Sequence, residues 1–164
     1  MFIENLSPCL YVPSSRSESE KLKAVGWLAW GHSYKLRNTK LPETRFLRLL
    51  RLLVNPWEPG HFMGYHECEF CFEETVPCTI QREGLVVYCG ANNLYVPASG
   101  YIFVAPSLIA HYVEMHSYEP PEIFWEAVMN CPEMGSEAYK QALVINGPSN
   151  KRWRRDVRLA LIRH

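Results

Sequence analysis

A chain of 164 residues, 48% hydrophobic and 21% charged, has the size and composition of one globular domain with a real core, which excludes disorder. Its 17 basic and 17 acidic side chains cancel, so no overall field draws it to nucleic acid or to a membrane surface. No run of about 18 apolar residues is present, and Met1-Phe2-Ile3-Glu4-Asn5 lacks the basic and apolar regions of a secretory signal; a cytoplasmic protein without a membrane span is expected.

Leu10-Tyr11-Val12 reads as a short strand and Ser14 to Glu20 as a polar loop. Val25 to Gly31 is an apolar run bounded by glycines, expected as a strand or buried turn. Pro42 opens a helix through about Val54, with Phe46, Leu47, Leu49, Leu50, Leu52 and Leu53 on a broad apolar face. Arg45, Arg48 and Arg51 share another face, read as a solvated edge rather than a phosphate site. Asn55-Pro56 and Pro59-Gly60 stop the helix.

From Pro77 to Ala105 the chemistry is that of strands: Thr79–Gln81, Leu85–Cys89, Leu94–Pro97 and Tyr101–Val104, separated by turn residues. Pro106 then stands where the first residue of a helix to about His116 belongs, with Leu108, Ile109, Tyr112 and His116 facing inward. Pro120-Pro121 starts a helix to about Asn130 that should bury Ile123, Phe124, Ala127 and Val128. Further helices are expected at Ser136–Val144 and about Asn150–Arg163, the last lined by Trp153, Val157, Ala160 and Leu161. The expected fold class is α+β: a small antiparallel β-meander packed against several helices and stapled by a zinc site. Residues 1–148 would form a single domain, and 149–164 a basic C-terminal helix packed on it or extending from it.

The chemistry is concentrated in two stretches. Tyr65-His66-Glu67-Cys68-Glu69-Phe70-Cys71 holds a C-x2-C pair, and His111-Tyr112-Val113-Glu114-Met115-His116 holds an H-x4-H pair. A C-x2-C turn presents two thiolates from one loop, and two imidazoles complete the tetrahedral Cys2His2 set that zinc favours. In a reducing compartment six cysteines do not make a disulfide framework. Cys9, Cys78, Cys89 and Cys131 are read as small buried hydrophobes.

One geometric difficulty stands out. In a regular helix positions 111 and 116 point about 140° apart. Both reach one ion only if the last turn is distorted or one imidazole reaches from the helix flank, so His66 competes with His111 for the fourth place. The order of candidate ligands is Cys68 and Cys71, then His116, His111 and His66.

Four or five candidate ligands favour a closed structural site over a catalytic one, which keeps a position open for water. Glu67 and Glu69 flank the cysteines but read as solvated acids. Zinc deaminases place H-x-E well before P-C-x-x-C, a spacing that this compressed stretch does not have. No H-E-x-x-H, G-x-S-x-G, P-loop or G-x-G-x-x-G is present.

The segments Leu6-Ser7-Pro8, Val25-Gly26-Trp27-Leu28, Gly64 to Cys71 and Ala105 to Pro121, with Phe124, Ala127 and Val128 after the double proline, resemble a family of uncharacterised bacterial proteins, a domain of unknown function. The resemblance covers about residues 5–140, and its pattern includes His66, Cys68, Cys71, His111 and His116. It implies that all five matter without saying which four bind, and it supplies no reaction.

Residues 149–164 carry six of the basic residues and a single acid, Asp156, leaving a net charge of −5 elsewhere. The function expected is a non-enzymatic zinc-binding protein-interaction module, by analogy an immunity protein or a partner in a competition locus. The alternatives are a zinc-dependent hydrolase, and nucleic-acid binding through Lys151, Arg152, Arg154, Arg155 and Arg158 interleaved with Trp153.

Overall fold

The strand β5 (Tyr101–Pro106) is buried from its second residue onward and is the centre of a three-stranded sheet. The computed structural model describes residues 1–11, 18–59, 65–71 and 78–159. β4 (Asn93–Ala98) pairs antiparallel with β5, from Ala98 opposite Tyr101 to Asn93 opposite Pro106, across the two-residue turn Ser99-Gly100. On its other side β5 pairs in parallel with β1 (Leu22–Ala24). Near-continuous burial along β4 and β5 shows a sheet covered on both faces. Phe103 meets Phe124 on one face, at 5.5 Å between ring centroids. Tyr95 meets Trp57 (5.1 Å) and Trp153 (6.1 Å) on the other.

Both sheet edges are occupied. Outside β1 the chain from Leu6 to Cys9 exchanges backbone hydrogen bonds with Leu22 and Ala24. At β4 the Tyr139 hydroxyl donates to the Tyr95 carbonyl at 2.7 Å. Covering an edge in this way removes a template for pairing with another chain.

The strands β2 (Thr79–Arg82) and β3 (Leu85–Tyr88) form a separate antiparallel hairpin. Its turn, Glu83-Gly84, has φ of +45° and +79°, as a two-residue hairpin of matching twist requires. The fold class is thus α+β with small antiparallel sheets, but the four strands expected as one meander divide after β3, because β4 closes on β5. β1 lies too far away in sequence for local patterning to show its parallel pairing.

The helix α1 (Glu43–Val54) buries Phe46, Leu49, Leu50, Leu52 and Leu53 between the hairpin and α3 (Glu122–Asn130). Two of its three arginines are paired, while Arg51 is exposed. Arg45 makes a two-pronged pair with Glu122 (2.5 and 2.9 Å), and Arg48 pairs with Glu133 (2.6 Å) and donates to the Cys131 carbonyl. Ile123, expected in the core, is 43% exposed, while Trp125 of the same helix is buried. Pro106 ends β5 rather than starting a helix, and Val25 to Ala29 is buried without forming a strand beyond a single bridge from Trp27 to Ile3, while Trp30 and Gly31 form an exposed turn. α2 (Ile109–Met115) follows, buried from Ile109 to Val113.

Ser136 caps α4 (Glu137–Asn146) by accepting from the Tyr139 N–H at 3.1 Å. Asn150 caps α5 (Lys151–Leu159) through the Trp153 N–H at 2.9 Å. The indole of Trp153 is fully buried and donates to the Leu143 carbonyl at 3.1 Å. It can do so because residue 147 is glycine: a Cβ there would lie 2.5 Å from the indole nitrogen. Leu10-Tyr11, expected to begin a strand, is a turn, and the expectations for Val12, Ser14 to Ser17, Gly60, Pro77, and Ala160 to Arg163 lie outside the described residues. No helix among the described residues is long and apolar enough to cross a membrane.

Trp153 joins α5 to the sheet through one large side chain, so Trp153→Ala should lower unfolding free energy by roughly 3–5 kcal/mol in urea titration.

Candidate metal centre

The segment Tyr65 to Cys71 has no regular secondary structure and is positioned by individual contacts. The His66 N–H donates to the Gly90 carbonyl at 2.9 Å. Gly90 has φ +81°, and a side chain there would collide with the His66 carbonyl oxygen. Glu69 accepts from the Trp30 backbone N–H at 2.9 Å and from the Met1 amino group at 3.0 Å. Phe70 packs its ring against Tyr34 (5.5 Å), His116 (5.4 Å) and Tyr112 (5.9 Å). Cys68, between these anchors, is left only 6% exposed.

The opposing wall is the C-terminal end of α2. The helix stops at Met115, His116 adopts φ −110° and ψ 11°, and Ser117 takes a left-handed φ of +51°. The N–H groups of His116 and Tyr118 both donate to the Tyr112 carbonyl, at 3.1 and 3.0 Å. His116 keeps the i−4 bond to Tyr112 while its φ departs from the helical value, and the two Nε2 atoms of His111 and His116 come within 3.1 Å.

Around this pair stand the two thiols. His116 Nε2 is 3.2 Å from Cys68 Sγ and 3.2 Å from Cys71 Sγ, and His111 Nε2 is 3.4 Å from Cys71 Sγ. All four donor atoms lie within 4.8 Å of one another. Zinc bond lengths of about 2.0–2.1 Å to nitrogen and about 2.3 Å to sulfur imply tetrahedral edges of about 3.3 Å for N···N and about 3.6 Å for S···N. The four edges given above are a few tenths of an ångström shorter. His116 Nε2 has three close neighbours but only one proton or one lone pair, so hydrogen bonding cannot serve them all. A cation between the four donors would. Cys68, Cys71, His111 and His116 could therefore hold a metal ion.

The profile of the family described as Domain of unknown function (DUF7919) matches residues 1–129. The chain belongs to that family. All four donors of this DUF7919 chain fall inside the match, while α4 and α5 lie beyond it. No curated protein and no solved structure matches the chain.

His66, the fifth candidate, stands outside the DUF7919 cluster. Its backbone is bound to Gly90 and its Nε2 lies 3.3 Å from the Tyr11 hydroxyl. Cys78, read from sequence as a core hydrophobe, is half-buried with its Sγ 3.4 Å from His111 Nδ1. Cys78 lies seven residues beyond Cys71, outside any metal-ligand spacing with the pair, so only the fold brings it near His111. Cys9, Cys89 and Cys131 are buried, and no disulfide joins the described cysteines. Burial pushes the Cys131 thiol up to about 12, which keeps it protonated and inert.

Glu69 is occupied structurally. The Trp30 N–H, and then the Met1 amino group, hold its carboxyl below the usual carboxylate range. That is the opposite of the upward shift a general base needs near neutral pH. The small cavity beside the loop is lined by Trp27, Leu28, His66, Glu67, Glu69 and Leu108 among others, and by none of the four donors.

Gly90→Ala should destabilise the fold more than Gly84→Ala in parallel thermal melts. Both have positive φ, a strain of about 1–2 kcal/mol for a non-glycine residue, but space around Gly84 is open while Gly90 abuts His66.

Proposed function

We propose that this protein is a zinc-binding, non-enzymatic protein-interaction module whose Cys2His2 site, Cys68, Cys71, His111 and His116, holds two distant parts of the chain together. The supporting observation is the approach of two thiols and two imidazole nitrogens to within 4.8 Å. Zinc suits this donor set, since it takes thiolate and imidazole together in a tetrahedron without a redox requirement. Four protein donors fill that tetrahedron, which favours a structural role over hydrolysis. Thiolate ligands last where cysteines stay reduced, so the same reading places the protein in the cytoplasm.

In this reading residues 1–148 form one domain and α5 offers the partner surface. Lys151, Arg152, Arg154, Arg155 and Arg158 are exposed, while Trp153 and Val157 anchor the helix. Such a face suits an acidic protein. Nucleic-acid binding would rest on phosphate contacts alone, because the fully buried Trp153 is not offered for stacking on bases. An immunity-type partner in a competition locus is the form of this reading that analogy suggests.

Purified protein should contain one zinc ion per chain by elemental analysis. Cys68→Ser and His116→Ala should lose it, and His66→Ala should keep it. Loss of zinc should cost about 3 kcal/mol or more, roughly 6–12 °C in Tm for a chain of this size. Zinc-free protein that melts like the loaded form would refute the structural role.

Reversal of charge at Arg154 and Arg158 to Glu should leave Tm and zinc content unchanged. It should also weaken any complex with an acidic neighbouring-gene product, read by titration calorimetry at two salt concentrations.

A further inference from the structure

Cys78 immediately precedes β2, and its carbonyl accepts from the Cys89 N–H at 2.7 Å. That bond lies next to the hairpin ladder and fixes the backbone of Cys78 relative to β3. From there its Sγ lies 3.4 Å from Nδ1 of His111, the ring nitrogen turned away from the donor cluster. His111 is 1% exposed, so water has little access to that nitrogen. The opposite nitrogen, Nε2, faces His116 Nε2 and Cys71 Sγ.

A metal-bound imidazole gives the lone pair of one nitrogen to the ion and carries its proton on the other. That second N–H nearly always needs an acceptor, and its partner fixes both the tautomer and the ring orientation. The usual acceptors are carboxylates, carbonyls and water. Here the group facing Nδ1 is a sulfur, at a distance normal for an N–H···S contact.

We propose that Cys78 is a positioning residue for the metal centre: its Sγ accepts the Nδ1–H of His111 and so holds the Nε2 lone pair toward the ion. The proposal rests on the metal-binding reading above. Cys78 is not itself a ligand in it, and the hairpin becomes the element that sets His111 for binding.

Zinc affinity is measured by chelator competition on the wild type, Cys78→Ala and Cys78→Ser, each first checked for fold by circular dichroism. The alanine variant should bind about 10–100-fold more weakly, the range for loss of such a supporting partner. The serine variant, which keeps an acceptor, should recover affinity. Equal affinity of wild type and Cys78→Ala would overturn the proposal.

Cobalt substitution separates positioning from ligation. The thiolate-to-cobalt charge-transfer band should have the same intensity in wild type and Cys78→Ala, because both keep two ligating thiolates. A loss of intensity would make Cys78 a ligand and overturn the proposal. Imidazole nitrogen NMR on the zinc-loaded wild type needs no substitution: it should show His111 bound through Nε2 with a protonated Nδ1, and coordination through Nδ1 would overturn the proposal. A wild type that binds no zinc would instead defeat the metal reading itself, a result seen before residue 78 is changed.

Discussion

Four lone-pair atoms from two segments, about forty residues apart in sequence, crowd a volume where they repel one another unless a cation or shared protons lie between them. The rest of the architecture sets up this meeting. One segment, Tyr65 to Cys71, has no ladder or helix of its own to hold it, and the other is the reversed end of a short helix. The Phe70 ring against Tyr34, Tyr112 and His116, and the His66 backbone against Gly90, align the two segments. Coordination bonds across the junction would add to these contacts, as structural zinc does in domains that fold only with metal.

The sheet and α1 give the junction a rigid backing. β5 leads directly into α2, so the register of the central strand determines where His111 points. The β2–β3 hairpin packs on α1 and brings Cys78 to the far side of the same imidazole. His111 thus sits between a cluster of donors at one ring nitrogen and a thiol at the other. Glu69, between the two cysteines in sequence, accepts from the Trp30 N–H and helps fix the loop.

At the other end of the molecule α5 separates its two faces sharply. Trp153 and Val157 reach into the body against Trp57 and Tyr95, while five basic side chains face outward. Within this helix only Asp156 offsets them, paired with Arg152 and Arg155 at 3.9 and 3.4 Å. Pairs this long, whose arginines stand in solvent, add little stability. The helix is held by its aromatic anchor and by the Asn150 cap, which leaves its charge available for contact with something acidic.

Much of this was open to inspection in the sequence because it depends on near neighbours. Apolar spacing and prolines marked α1, α3 and α4, Glu83-Gly84 and Ser99-Gly100 marked the hairpin turns, and the cysteine and histidine pairs marked the donors by their chemistry. What tertiary structure decided were matters of long-range register and direction. They include the parallel pairing of β1 with β5, the division of the strands into two sheets, the turn of His66 toward Tyr11, the approach of Cys78 to His111, and the exposure of Ile123. The end of α2 shows the reason most clearly. Helical periodicity alone sends positions 111 and 116 apart, yet in the folded chain the two imidazoles reach across that divergence and bring their Nε2 atoms within 3.1 Å. Residue type sets which atoms can bind, but closure of the whole chain sets which of them meet.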